Sequence, residues 1–185
     1  IDLACKLQQR GHQIFIYSPL LGPVAQELPT QNITISDNLT KFASEKFDLI
    51  HAQHRTTAIL ARSLFSQTPI VMMIHGLLPL LEQPPSIDLD IAQYLVVSEE
   101  TSAHLSKKYN INQDKIQIVR NFIDNTKFIS RVPTNSQLRN ILVVSNRFTA
   151  KEQALVQSAC QQLNLNYQHI GLPDHPVINV VDYIN

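Results

Sequence analysis

Three histidines fall where two short apolar runs stop. Asp48-Leu49-Ile50-His51 gives way to a polar turn, Gln53-His54, and Ile70-Val71-Met72-Met73-Ile74 gives way to His75-Gly76. An imidazole so placed can donate, accept or carry a proton near neutral pH, and the neighbouring Gly76 lets a ligand approach the backbone closely. A zinc site built on His51 and His54 has neither the usual spacing nor a third ligand nearby, so no metal is expected. Two cations, Arg147 and Lys151, flank another strand-to-helix turn, beside the positive end of a helix dipole where a diphosphate is favoured. That turn carries no glycine, so a diphosphate there would rest on side chains rather than on a cradle of backbone amides. Ser98, Glu99 and Glu100 open a helix, with Ser98 suited to the N-cap, both acids suited to the dipole, and Glu99 a secondary candidate for the crevice. Each set has a plain structural alternative: loop imidazoles satisfied by backbone or water, and a solvated pair of cations.

These residues need strands that end on one edge. The stretch from Tyr94 to Asp124 shows how the chain supplies them. Tyr94-Leu95-Val96-Val97 is a buried strand, Thr101 to Tyr109 is a helix with Leu105 and Tyr109 on one face, and Asn110 closes it. Ile116-Gln117-Ile118-Val119 is the next strand. Strand, helix and strand make a βαβ unit, and ligands of open parallel sheets bind at the carboxyl ends of the strands. Upstream, Leu3, Ala4 and Leu7 share a helical face before Gly11, so the pattern begins inside a helix, and the first strand of its βαβ unit is expected to be missing. Strands are expected at Gln13–Tyr17, Ile33–Ile35, Asp48–His51 and Ile70–Ile74, a brief helix over Asn38–Phe47, and a longer one from Arg55 to Phe65. After a polar linker, residues 125–139, come a strand at Asn140–Val144, a helix at Lys151–Leu163, a strand at Tyr167–Ile170 and an unfinished element at Val177–Ile184. Alternating strands and helices predict an α/β fold with a mostly parallel sheet and helices on both faces.

The domain organisation follows: a first domain over residues 1–124, the linker, and a partial second domain over 140–185, too short to enclose its own doubly wound core. Across the 185 residues, 15 basic and 15 acidic side chains cancel. The broad positive footprint of a nucleic-acid binder is absent. Cys5 and Cys160 lie far apart in separate helical patterns, as reduced core thiols of an intracellular protein would. No apolar run approaches the roughly 20 residues that cross a bilayer, and there is no secretory leader pattern. A cytoplasmic protein is expected. No basic amphipathic helix argues for membrane association.

The ordered set of motifs resembles the retaining, nucleotide-sugar-dependent glycosyltransferases of the GT-B fold, in particular family 4. The matching segments are Leu3-Ala4 through Arg10-Gly11-His12, Phe47 through His54, Ile74-His75-Gly76, Val97-Ser98-Glu99, and Ile118-Val119-Arg120-Asn121-Phe122-Ile123-Asp124. The last resembles the family's Asn-Gly-Val-Asp signature, and Asn140 to Lys151 resembles the opening strand and turn of its second domain. The resemblance implies two Rossmann-like domains. The first would hold a glycan or lipid-linked acceptor, aided by His51, His54, Gly76, Ser98 and Glu99, and the second would hold the nucleotide-sugar donor. His75 would contact the donor sugar near the reacting carbon. Arg147 and Lys151 would neutralise the leaving diphosphate without a metal or other cofactor. Phe122 stands where the family has glycine, and Ser145-Asn146 replaces the glycine before the arginine. Two alternatives therefore stay open: a non-catalytic carbohydrate- or nucleotide-binding relative, and a sugar-nucleotide epimerase. The 185 residues alone are expected to transfer sugar poorly or not at all.

Overall fold

The computed structural model describes residues 2–22, 25, 28, 32–123, 125–126, 128–129, 137–146 and 149–171. Arg147, Asp124, residues 177–184 and much of the expected linker lie outside these. The chain divides into two compact units, Ile1–Asn121 and Phe122–Asn185.

The first unit opens with helix α1 (Asp2–Gln9), stopped at Gly11, whose φ of +89° is left-handed. Strand β1 (Ile14–Tyr17) follows and pairs in parallel with β2 (Ile33–Ser36), Ile14 opposite Ile33. The Asn38–Phe47 segment differs from expectation. It forms only one 3-10 turn, Leu39–Phe42, because the Asn38 side chain accepts from the Thr40 amide at 3.0 Å and closes a local turn that competes with a longer helix. Phe47 goes instead into a chain of edge-to-face rings, 5.1 Å from Phe15 and 5.0 Å from Phe65.

The rest of the unit is β3 (Ile50–Ala52), α2 (Arg55–Leu64), β4 (Ile70–Ile74), β5 (Gln93–Val96), α3 (Glu99–Tyr109) and β6 (Ile116–Ile118). The four strands form one parallel sheet in the order β3-β4-β5-β6. Alternation along the strands sorts their side chains. Ala52, Ile70, Met72, Ile74, Val96 and Ile116 face Ala58 and Ala61 of α2 and Leu105 of α3, and together they form the buried core. Burying each large aliphatic side chain there contributes about 1.5–3 kcal/mol. The residues between them, among them His51, Val71 and Met73, take the opposite face.

Helix α3 shows how its sequence sets its ends. Ser98 Oγ accepts from the Thr101 amide at 3.2 Å, Glu99 and Glu100 occupy the first turn and Lys107 and Lys108 the last. Asn110 follows with a left-handed φ of 52°.

The second unit contains β7 (Asn140–Val144), α4 (Ala150–Gln162) and β8 (Asn166–Ile170). β7 and β8 pair in parallel over all five residues, Asn140 opposite Asn166 through Val144 opposite Ile170. Thr149 and Glu152 form a reciprocal capping box at the start of α4.

Candidate functional site

Parallel pairing brings the strand ends of the first unit to one edge. In the ladder Ile74 lies opposite Val96, and Val96 opposite Ile118. Gly76, Ser98 and Arg120 each follow two residues after these paired positions, just past the strand ends. β3 is shorter: Ala52 pairs with Met72, so the residues after it must reach along the edge. His51 pairs with Val71, and paired residues of a parallel ladder point to the same face. His51, Gln53 and His75 therefore share a face by pleat parity, opposite buried Ala52 and Ile74.

That parity has a chemical result. The Gln53 carboxamide lies between the two imidazoles, with Nε2 3.2 Å from His51 Nδ1 and Oε1 2.9 Å from His75 Nε2. His75 and Gln53 are exposed at the edge. His51 also keeps an exposed side, yet desolvation holds its imidazole below the ordinary value of 6.5, and repulsion from His75 adds to this. Gln53 was not among the residues singled out from the sequence, since an uncharged amide in a polar turn carries no signal. Its partner is 22 positions away. Only strand parity across the β3–β4 ladder could have pointed to it.

His54 stands apart from this set. It is the N-cap residue of α2 with no side-chain cap bond, and its carbonyl accepts from Thr57 Oγ1 at 2.8 Å. The His75–Gly76 turn is fixed from below. Gln83, 2% exposed, donates to the carbonyls of Gly76 at 3.1 Å and Pro79 at 3.3 Å. A Cβ on Gly76 would lie 3.2 Å from Glu82 Oε2, so the loop crowds that glycine. Beyond β5, Ser98 caps α3, and Glu99 Oε1 accepts from Arg120 Nη2 at 2.6 Å. Both partners are largely exposed, and such a pair contributes little stability. It does fix a carboxylate and a guanidinium side by side on the edge that carries the histidines.

In the second unit Lys151 lies exposed in the first turn of α4. Arg147 is outside the described residues. Ser145 follows β7, its amide donating to the Ile170 carbonyl at 3.1 Å. Among the described residues no cluster of three or more His, Cys, Asp or Glu side chains could hold a metal ion. An open cavity of about 310 Å³ lies between the ends of β1 and β2 and helix α2, lined by Tyr17, Asp37, Asn38, Thr40, Ser63 and leucines. Its lining includes none of His51, Gln53, His54, His75, Gly76, Ser98, Glu99 or Lys151. Among the described residues no helix is long and apolar enough to cross a membrane.

Comparison with known proteins adds to this geometry. Residues 1–127 match the family model described as Glycosyltransferase Family 4. No curated protein matches the chain. Among solved structures, a glycosyltransferase from Rickettsia africae ESF-5 is similar with a TM-score of 0.65 at 15% sequence identity, over 98% of this chain and 65% of that one. The chain thus spans just under two thirds of that protein, and at this identity the likeness bears on the fold: mostly parallel sheets with helices, Rossmann-like.

Proposed function

Because the chain belongs to glycosyltransferase family 4, we propose that it supplies the acceptor side, and the start of the donor side, of a retaining transferase. The donor is a nucleotide-sugar, and the acceptor is a glycan or a lipid-linked acceptor. The observation that supports this is the 2.9 Å hydrogen bond between His75 Nε2 and Gln53 Oε1, which tethers an exposed imidazole just past the end of β4, and parallel sheets bind ligands at their strand ends. In the transfer, the bond between the anomeric carbon and the donor diphosphate breaks, and its electron pair leaves on the diphosphate. The acceptor hydroxyl oxygen forms the new bond on the same face and gives up its proton to the departing diphosphate oxygen. His75 contacts the donor sugar. Arg147 and Lys151 stabilise the charge that builds on the diphosphate, a task that fixed side-chain cations perform without a metal. His51, Gly76, Ser98 and Glu99 line the acceptor side, with His54 at its margin. Free Cys5 and Cys160 fit a reducing, cytoplasmic compartment.

The test is His75→Ala in the full-length protein, assayed for transfer of labelled sugar from a panel of nucleotide-sugars. An exposed imidazole contributes little to folding, so the urea midpoint should hold while kcat falls about a hundredfold or more. Transfer at the unaltered rate would remove His75 from the site.

A further inference from the structure

The two imidazoles at the strand ends are joined through one amide, and an amide is not symmetric. Its oxygen only accepts and its nitrogen only donates. With Oε1 at 2.9 Å from His75 Nε2, that nitrogen must carry a proton. With Nε2 at 3.2 Å from His51 Nδ1, that nitrogen must present a lone pair. One side chain therefore selects the tautomer of both rings. With the amide in this orientation each neutral imidazole is Nε2–H, and His75 is left with Nδ1 as its acceptor. The ladder makes this selective: Gln53 reaches His75 because β3 stops at Ala52, short of the level at which β4 ends.

We propose that Gln53 is a positioning residue of the transfer site, holding His75 as the Nε2–H tautomer so that Nδ1 accepts a hydrogen bond from a sugar hydroxyl. The inference rests on the placement of His75 at the transfer site, and it makes a separate demand on the ring's tautomer. A sugar hydroxyl is a suitable ligand for that nitrogen, since it can donate to Nδ1 while its own oxygen accepts from elsewhere. In the other tautomer Nδ1–H would donate instead, and the hydroxyl would have to turn and accept. Glutamate in place of Gln53 keeps an acceptor for His75 Nε2–H and removes the donor to His51. Leucine, of similar size, removes both.

The experiment is a long-range proton–nitrogen correlation on the full-length protein labelled with 15N-histidine, at about pH 8.5, roughly two units above the ordinary imidazole pKa. His51→Asn and His75→Asn assign the two signals. Both rings are expected as Nε2–H in the unaltered protein. In Gln53→Leu both should relax to a tautomer mixture. In Gln53→Glu, His75 alone should stay Nε2–H. Sugar transfer should follow His75: kcat down about fivefold to tenfold in Gln53→Leu, the value of one hydrogen bond, and largely restored in Gln53→Glu, with the urea midpoints of the two variants alike. A His75 ring protonated on Nδ1, or one whose tautomer ignores Gln53→Leu, overturns the proposal. A tautomer that relaxes with transfer unchanged leaves Gln53's hold on the ring standing, but removes His75, and with it this role for Gln53, from the reaction.

Discussion

Tyr109, the last residue of α3, donates its hydroxyl to Gln83 Oε1 at 3.1 Å. The same amide donates through Nε2 to the carbonyls of Gly76 and Pro79. One buried side chain thus ties the loop after His75 to the far end of a helix that starts on the same sheet edge. The loop holds its shape through this link, since Leu78 and Leu80 within it are exposed and contribute no core.

Gln83→Leu keeps the volume and removes all three bonds. It leaves the Gly76 carbonyl and the Tyr109 hydroxyl short of partners at a site 2% exposed, while the Pro79 carbonyl keeps the Glu82 amide at 3.0 Å. A loss of about 1–3 kcal/mol is expected from urea denaturation. Tyr109→Phe should cost about 1 kcal/mol, and the double variant less than the sum, because both changes break one shared bond. An unchanged midpoint in Gln83→Leu would show that the strap does not hold the loop.

His51 should titrate below 6.5, first through desolvation and second through repulsion by His75. A group whose folded pKa is depressed in this way binds fewer protons when folded than when unfolded. Stability is then unaffected by it above the unfolded value and falls as pH drops through that value toward the folded one. Proton NMR of the His51 ring should show a midpoint under 6.5, and His75→Ala should raise it only in part, since the larger cause remains. A midpoint that returns fully to 6.5 would make repulsion, not desolvation, the dominant cause.

How much of this was legible depended on whether the signal was local. Ile70–Ile74 and Asn140–Val144 form strands with the limits expected of them, because each is an unbroken apolar run flanked by polar residues. The limits of α3 were nearly as plain, since Ser98 and Asn110 carry end-specific chemistry. The Asn38 turn departs from expectation because an Asx bond two residues long outcompetes the weak periodicity of Leu39 and Phe42. The histidines could be placed at strand ends, but their connection through Gln53 depends on register between two strands. The role of Arg62 carries no sequence signal for a related reason: on a helix surface a lone arginine looks solvated, and its acceptors lie in two loops.

Those acceptors make Arg62 a stability determinant. Its guanidinium donates to the carbonyls of Leu89 at 2.9 Å, Ser66 at 2.8 Å, Thr68 at 2.9 Å and Asp90 at 3.2 Å. It thereby closes the α2–β4 turn and holds the segment that leads into β5. Arg62→Ala is expected to lower stability by about 2–3 kcal/mol. Arg62→Lys should recover less than half, since a single ammonium cannot span a planar fork of acceptors. Full rescue by lysine, read from the thermal midpoint, would reduce the role of Arg62 to its charge.

Gly171 follows β8 with φ of +128°, a conformation that side chains rarely adopt. A Cβ there would collide with the carbonyl of Ser145, the residue that follows β7. That carbonyl is already engaged, since His169 Nε2 lies 3.0 Å from it. Alanine at this position must therefore both strain its own backbone, at roughly 1–3 kcal/mol, and displace Ser145 from His169. Ser145 and Asn146 lead directly to the proposed diphosphate cations at 147 and 151. In the full-length protein Gly171→Ala should lower the urea midpoint and weaken nucleotide-sugar binding in calorimetry, whereas Gly22→Ala, with open space around its Cβ position, should do neither. Equal effects from both substitutions would mean that the close approach at Ser145 carries no cost.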